Sequence, residues 1–280
     1  MKQFKDRVAV ITGGGSGLGR AMAFRFAREG MKIVLADMDE KAMATTADEL
    51  RVLGAEVLPV NTDVSKADQV EALAQKTLAA FGAVHIVVNN AGVAEHGNVW
   101  ENTLADWEWV LGVNLWGVIH GVRVFTPIML KQDTEGHIIN TASVAGLLSP
   151  PGMGIYCVSK HAVVTLTESL HQDLAERNAK VKCSVLCPAY VPTGIADSRR
   201  NRPVELAEQR QKTARDEALE ESMRHAVAHG RISADQVADA VFEAVRDEKF
   251  YIFTHKRIKD SVRMRLEDII EERNPRNPMG

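Results

Sequence analysis

Cysteine is scarce in this chain: three occur in 280 residues, Cys157, Cys183 and Cys187. The count is odd and the spacing suits no metal, so reduced thiols in a cytoplasmic protein account for them and no metal site is expected. Charge of one sign is equally lacking. With 34 Lys and Arg against 37 Asp and Glu, the net charge is −3, too little positive field for a nucleic-acid binder. No long apolar run survives inspection either. The most apolar stretch, 112–130, contains Asn114, His120, Arg123 and Pro127, and central charges are costly in lipid, so no membrane span is expected. The first six residues carry charge where an export leader needs an apolar core. Internal repeats, low-complexity tracts and Pro/Gly-rich linkers are absent, which argues for one domain.

Apolar residues make up 45% of the chain, enough to offset the entropy of folding. They are organised as short runs at 8–12, 32–36, 56–60, 84–88, 137–141, 181–186 and 250–253. Between them, segments such as 17–29, 40–53, 67–81 and 156–177 repeat apolar residues every three or four positions. Continuous apolar strands separated by helices predict a parallel sheet covered on both faces. The expected fold is α/β: a Rossmann-type doubly wound sheet in three α/β/α layers.

Five of the 20 glycines fall between Gly13 and Gly19, directly after the first strand and opening a helix. Without side chains, a backbone running Gly13, Gly14, Gly15, Ser16, Gly17, Leu18, Gly19 can turn tightly and approach a pyrophosphate. Asp37 ends the second strand 18 residues later. A carboxylate there accepts from adenosine ribose hydroxyls and repels a 2′-phosphate, which favours NAD over NADP. Tyr156 and Lys160 stand at i and i+4, on one face of a helix, and Ser143 follows the strand at 137–141. A neighbouring ammonium is expected to lower the phenol's pKa, making an acid–base group of a residue that ordinarily titrates near 10.

These pieces resemble the single-domain short-chain dehydrogenases/reductases. The resemblance rests on the glycine loop, Asp63, the run Asn89, Asn90, Ala91, Gly92, then Asn114, Ser143, Tyr156 with Lys160, and Pro188 through Thr193, in the family's order over roughly residues 5–195. It implies Tyr156 as general acid–base, and Lys160 as the group that tunes it and holds the nicotinamide ribose. Ser143 is implied to polarise the substrate oxygen, and Asn114, at a helix kink, to anchor a proton-relaying water. Cofactor contacts are implied for the loop from Gly13 through Ser16, Gly17 and Leu18 to Gly19, for Asp37, for Asp63 and Val64 at the adenine, and for Asn90 and Gly92. Pro188, Val191 and Thr193 are implied at the nicotinamide. Ala189 departs from the glycine often found after that proline.

The implied reaction interconverts a secondary alcohol and a ketone. The substrate pocket is expected from 93–99, from the uncharged stretch 144–155 and from the segment after Thr193, with His96, Met153 and Tyr190 as wall residues, which suits a hydrophobic small molecule. Residues 194–230 read as a lid insertion, with apolar positions at 204, 207, 214, 218, 219, 223 and 227, within a catalytic domain spanning 1–255. Arg199, Arg200 and Arg202 read as a solvated charge run, with an anion-binding role as the alternative. A helical tail at 256–280 carries an apolar stripe at Ile258, Val262, Leu266, Ile269 and Ile270 and resembles tails of relatives that oxidise benzylic alcohols in aryl ethers. The four tryptophans, Trp100, Trp107, Trp109 and Trp116, read as helix packing at an interface, and the family implies a homodimer or homotetramer. Two alternatives stand: an NADP-dependent carbonyl or ketoacyl reductase, and a non-catalytic NAD-binding regulator.

Overall fold

The apolar runs become seven strands: β1 (Val8–Thr12), β2 (Lys32–Asp37), β3 (Val57–Asn61), β4 (Ile86–Asn89), β5 (Gly136–Thr141), β6 (Val181–Cys187) and β7 (Tyr251–Phe253). Nine helices separate or follow them among the described residues: α1 (Gly17–Arg28), α2 (Glu40–Val52), α3 (Ala67–Phe81), α4 (Leu104–Leu111), α5 (Gly117–Gln132), α6 (Gly154–Glu176), α7 (Ala214–Ala228), α8 (Ala234–Asp247) and α9 (Ile258–Ile270). This computed structural model describes residues 1–207, 213–255 and 258–278.

All seven strands pair in parallel, in the order β3-β2-β1-β4-β5-β6-β7. Alternate side chains of one strand face opposite layers. Ala9, Ile11, Ile33, Leu35, Ile86 and Val88 pack with Met22 and Phe26 of α1 and Val241 and Phe242 of α8. Val8, Val10, Val34, Val87 and Ile138 turn the other way, toward Leu73 of α3, Phe125 of α5 and Leu170 of α6. The sheet is therefore sandwiched between helices, the expected Rossmann-type fold.

The strand order reverses between β1 and β4, so the loops leaving their carboxyl ends diverge and open a crevice. Helix starts are set by short polar side chains. Asp39 caps α2, and Thr103 with Asp106, Thr213 with Asp216 and Ser233 with Gln236 form capping boxes on α4, α7 and α8.

From 104 to 132 the chain is one helical run, α4 and α5 joined through a π-helical turn at Gly112–Trp116. Pro127 does not break it. The run is long and apolar enough to cross a membrane, with mean hydropathy 1.3 in its most apolar window. Here Val118, Phe125 and Met129 bury against the sheet as core residues instead. The tryptophans do not share one role. Trp109 is buried with Val93 and Ile155, whereas Trp100 lies in the turn before α4 and is 81% exposed.

The segment expected as a lid begins with 3₁₀ turns at Gly194–Asn201 and Val204–Leu206 and continues as α7. Residues 208–212, part of that segment, lie outside the described residues. Along α7, Leu219, Met223 and Val227 are covered, while Ala214 and Ala218 are exposed, so the apolar face is narrower than the sequence pattern implied. In the tail, Ile258 is buried against the body of the molecule, but Leu266, Ile269 and Ile270 are exposed.

Candidate active site

A cavity of about 870 Å³ follows the crevice from the glycine loop to α7. It brings together Gly13, Ser16, Gly17, Leu18, Asp37, Val64, Asn90, Gly92, Ser143, Tyr156, Lys160, Pro188, Val191 and Thr193. Gly19, Asp63 and Asn114 are expected site residues that do not line it.

Each of the three has a visible reason. Gly19 serves packing: a Cβ there would sit 2.0 Å from the Gly13 carbonyl oxygen. Asp63 turns its Oδ1 to the amide and hydroxyl of Ser65, at 2.9 and 2.7 Å, and borders a neighbouring cleft. Asn114 is wholly buried in the π-helical turn. Its Oδ1 accepts from the Val93 amide at 2.8 Å, and its Nδ2 donates to the Val93 carbonyl at 2.9 Å and to Ser159 Oγ at 3.1 Å. Where the resemblance implied a helix kink the structure has this π-helical turn, and Asn114 clamps the strand-to-helix loop that forms one cavity wall.

The phosphate end is built by backbone. Gly13 has φ +64°, and a Cβ there would be 2.9 Å from Ala91 Cα, so two loops meet with no room for a side chain. The N-cap of α1, Ser16, makes no side-chain cap bond, and the first turn carries no acidic residue. The first-turn N–H groups of α1 thus remain available to an anion, in the field of the helix dipole. Asp37 is oriented by its own loops: Oδ2 accepts from the Gly15 amide at 2.9 Å and Oδ1 from the Asp39 amide at 3.0 Å. Acceptor, open amides and small-residue floor together fit a dinucleotide.

Thr12 Oγ1 accepts from the amides of Asn90 and Ala91 at 2.9 and 3.1 Å, and Asn90 Nδ2 returns to the Thr12 carbonyl at 3.0 Å. Thr12 ties the loops after β1 and β4 together. The sequence reading did not single it out, and its position at the last residue of the first strand was the signal available.

At the other end, Ser143 Oγ accepts from the Ala145 amide at 3.1 Å and donates to the Pro188 carbonyl at 3.4 Å, and the Tyr156 side chain lines the same cavity. Lys160, on the next turn of α6, donates Nζ to the Thr141 carbonyl at 2.9 Å and lies 5.6 Å from the centre of the Tyr156 ring. Burial pushes the Tyr156 phenol up to about 12, only partly opposed by the Ser143 hydroxyl, and draws the Lys160 ammonium down to about 8. The expected lowering of the phenol by Lys160 is therefore not what this geometry produces. Desolvation governs the phenol, which has left water, and the Cys157 thiol raises it further. A Cβ on Gly92 would stand 3.5 Å from Asn114 Oδ1 and 3.6 Å from Lys160 Nζ, so these two polar groups flank one small gap.

The substrate end is apolar, walled by Leu148, Met153, Tyr190, Met223 and Val227. His96 lines it too; burial holds its imidazole below the ordinary value, and its Nδ1 has no hydrogen-bond partner. The arginines read as a solvated run are mostly engaged. Arg199 grips Glu95, which is 2% exposed, with Nε at 3.0 Å and Nη2 at 2.5 Å. Arg202 donates to the buried Asp106 at 2.6 Å, lies 3.7 Å from Glu95 and covers the Trp109 ring. Glu95 was missed by sequence reading because its partners are 104 and 107 residues away in the chain. The three cysteines are free and buried, their thiols pushed up to between about 11 and about 12.

Comparison with known proteins identifies the family. Residues 7–203 match the family model for short chain dehydrogenases. The CLA biosynthesis dehydrogenase/reductase of Lactiplantibacillus plantarum is 35% identical over 98% of this chain and 97% of its own length. The C alpha-dehydrogenase of a Sphingobium species is 32% identical over 98% of this chain and 89% of its own. A crystal structure of a short chain dehydrogenase/reductase from Burkholderia phymatum in complex with NAD superposes with TM-score 0.98 at 55% identity, covering 100% of both chains. By the family match and this structural likeness, the chain belongs to the short-chain dehydrogenase/reductase family of oxidoreductases.

Proposed function

We propose that this protein is an NAD-dependent dehydrogenase that interconverts an apolar or aryl secondary alcohol and its ketone. The observation that carries the reading is the convergence of Ser143, Tyr156 and Lys160 on the cavity that begins at the glycine loop. The orientation of Asp37 supports NAD over NADP, since a 2′-phosphate beside that carboxylate would be repelled. The relative crystallised with NAD supports the same choice.

When bound, the nicotinamide supplies or accepts the hydride and, oxidised, adds a positive charge near the phenol. The chain's residues orient the alcohol and manage its proton. Ser143 and Tyr156 line one cavity, so an alcohol or ketone oxygen seated between them receives two hydroxyl partners. In oxidation the phenolate of Tyr156 takes the hydroxyl proton; in reduction the phenol gives it back. Lys160 has its ammonium held at about 8, so it can pass a proton onward near neutral pH. Asn114, facing Lys160 across the gap at Gly92, is the group to hold a relaying water. Residues 194–230 act as the lid over the substrate, and the chain assembles as a homodimer or homotetramer. Exposed Trp100, Leu104 and Trp116 support that assembly.

The test is reduced-nicotinamide formation across aliphatic and aryl secondary alcohols, with NAD and NADP in parallel. NAD-linked turnover that disappears in Tyr156→Phe, with NAD binding retained by calorimetry, is the expected result. Equal turnover in that variant refutes the acid–base assignment, and NAD binding without any turnover favours the regulator.

A further inference from the structure

One cation at the mouth of the substrate chamber has no role in the reaction described above. Met223, Val227 and Arg231 line the cavity at a helical spacing that continues from α7 into the turn after it. The turn is held firmly: a Cβ on Gly230 would come 2.5 Å from the Tyr190 carbonyl oxygen and 2.9 Å from Pro192 Cδ. Arg231 is thereby set, exposed, on the chamber wall, which Ile258 and Ser261 of α9 also line. Its guanidinium is exposed and makes no hydrogen bond or ion pair among the described residues, and neither does the half-buried Ser261 hydroxyl.

The distribution of charge around the cavity sharpens the point. Among the described residues its carboxylates are Asp37 and Asp39, at and just after the end of β2. Its other lining cations are engaged: Lys160 at Thr141, and Arg200 through Nη1 bonds of 2.9 Å to the carbonyls of Gly194 and Asp197. Burial holds the imidazole of His255, another lining residue, below its ordinary value. An apolar chamber lined by a guanidinium and a hydroxyl that are both unpaired among the described residues complements a molecule with an apolar body and an anionic end. A planar guanidinium fork and a hydroxyl offer the donors a carboxylate needs.

We propose that the substrate is an apolar secondary alcohol bearing a carboxylate, which Arg231 and Ser261 receive at the chamber mouth while its hydroxyl lies at Tyr156. This rests on the dehydrogenase reading above. The lid face of Met223 and Val227 covers the chain between the two polar ends.

The experiment compares hydroxy fatty acids of graded length, each with its methyl ester and the corresponding hydroxyalkyl phosphate. Wild type is expected to prefer the acid over its ester by about tenfold or more in kcat/KM, the worth of a charge-assisted hydrogen bond. Arg231→Met brings the acid down to the level of the ester, through KM, and Arg231→Lys restores part of the difference. Calorimetric titration of Tyr156→Phe, loaded with NAD, with acid and ester reads the same preference without turnover. Equal binding of acid and ester overturns the proposal, as does a raised KM for NAD in Arg231→Met, which would assign the guanidinium to the dinucleotide. Preference for the phosphate over the carboxylate overturns the carboxylate assignment. Silence with every alcohol, while acid still binds better than ester, overturns the dehydrogenase reading alone.

Discussion

At the scale of single residues, the acid–base chemistry depends on a phenol that burial has made a poor acid. With Tyr156 pushed up to about 12, alcohol oxidation requires a species that is scarce at neutral pH, so kcat/KM for oxidation should climb as pH rises. Ketone reduction, which needs the protonated phenol, should not climb with it. A pH profile of both directions checks this, and an oxidation rate that falls between neutral and alkaline pH would contradict it. Removing the hydroxyl in Tyr156→Phe should cost about 10²–10⁴ in turnover, the usual worth of a positioned acid–base group. Asp37→Ala should narrow the ratio of NAD to NADP specificity constants by about tenfold or more, by removing the like charge that a 2′-phosphate meets. An unchanged ratio would mean that Asp37 only orders the loops through its bonds to Gly15 and Asp39.

At the scale of elements, two buried polar groups show how packing converts to stability. His137 on β5 is fully buried, bonds Ser184 Oγ on β6 at 2.6 Å, and is drawn down to about 3 by desolvation. Unfolded, a histidine takes up its proton near 6.5, so between about 6.5 and about 3 the unfolded chain binds the extra proton. Stability therefore rises with pH across that window and is lost on acidification, by at most about 1.4 kcal/mol per pH unit from this one group. Urea midpoints measured across the window should follow that sign, and His137→Gln should flatten the slope. The second group is the ion cluster joining the lid to the loop after β4. Arg202→Met would leave Glu95 and Asp106 buried beside one cation fewer, and should destabilise the protein by about 3–5 kcal/mol in denaturant titration. A loss well under that would show that the lid separates from the body before global unfolding.

On the scale of the whole molecule, cofactor binding and folding are linked, because the cleft exists only when β1, β2 and β4 are assembled side by side. NAD at about a hundred times its Kd should add about 2.7 kcal/mol to stability and raise Tm by roughly 5 °C or more. NADP at the same concentration should raise it less. Equal shifts would remove the case for selectivity at Asp37.

Much of this was legible in the amino-acid order, and the physical reason is locality. Strand and helix bounds follow from side-chain period over a few residues, which is why each strand lies within two residues of its expected place. The glycine loop, Asp37 and the pair Tyr156 and Lys160 carry their chemistry in short spacings, so they could be read before any folding. What only the tertiary structure decided depends on residues brought together from afar, and on water driven out by that assembly. Desolvation reversed the expected direction for the Tyr156 phenol. Pairing across more than a hundred residues turned Arg199 and Arg202 from a solvated run into partners of a buried carboxylate. The same packing left Arg231, unremarkable in sequence, on the chamber wall with no partner among the described residues.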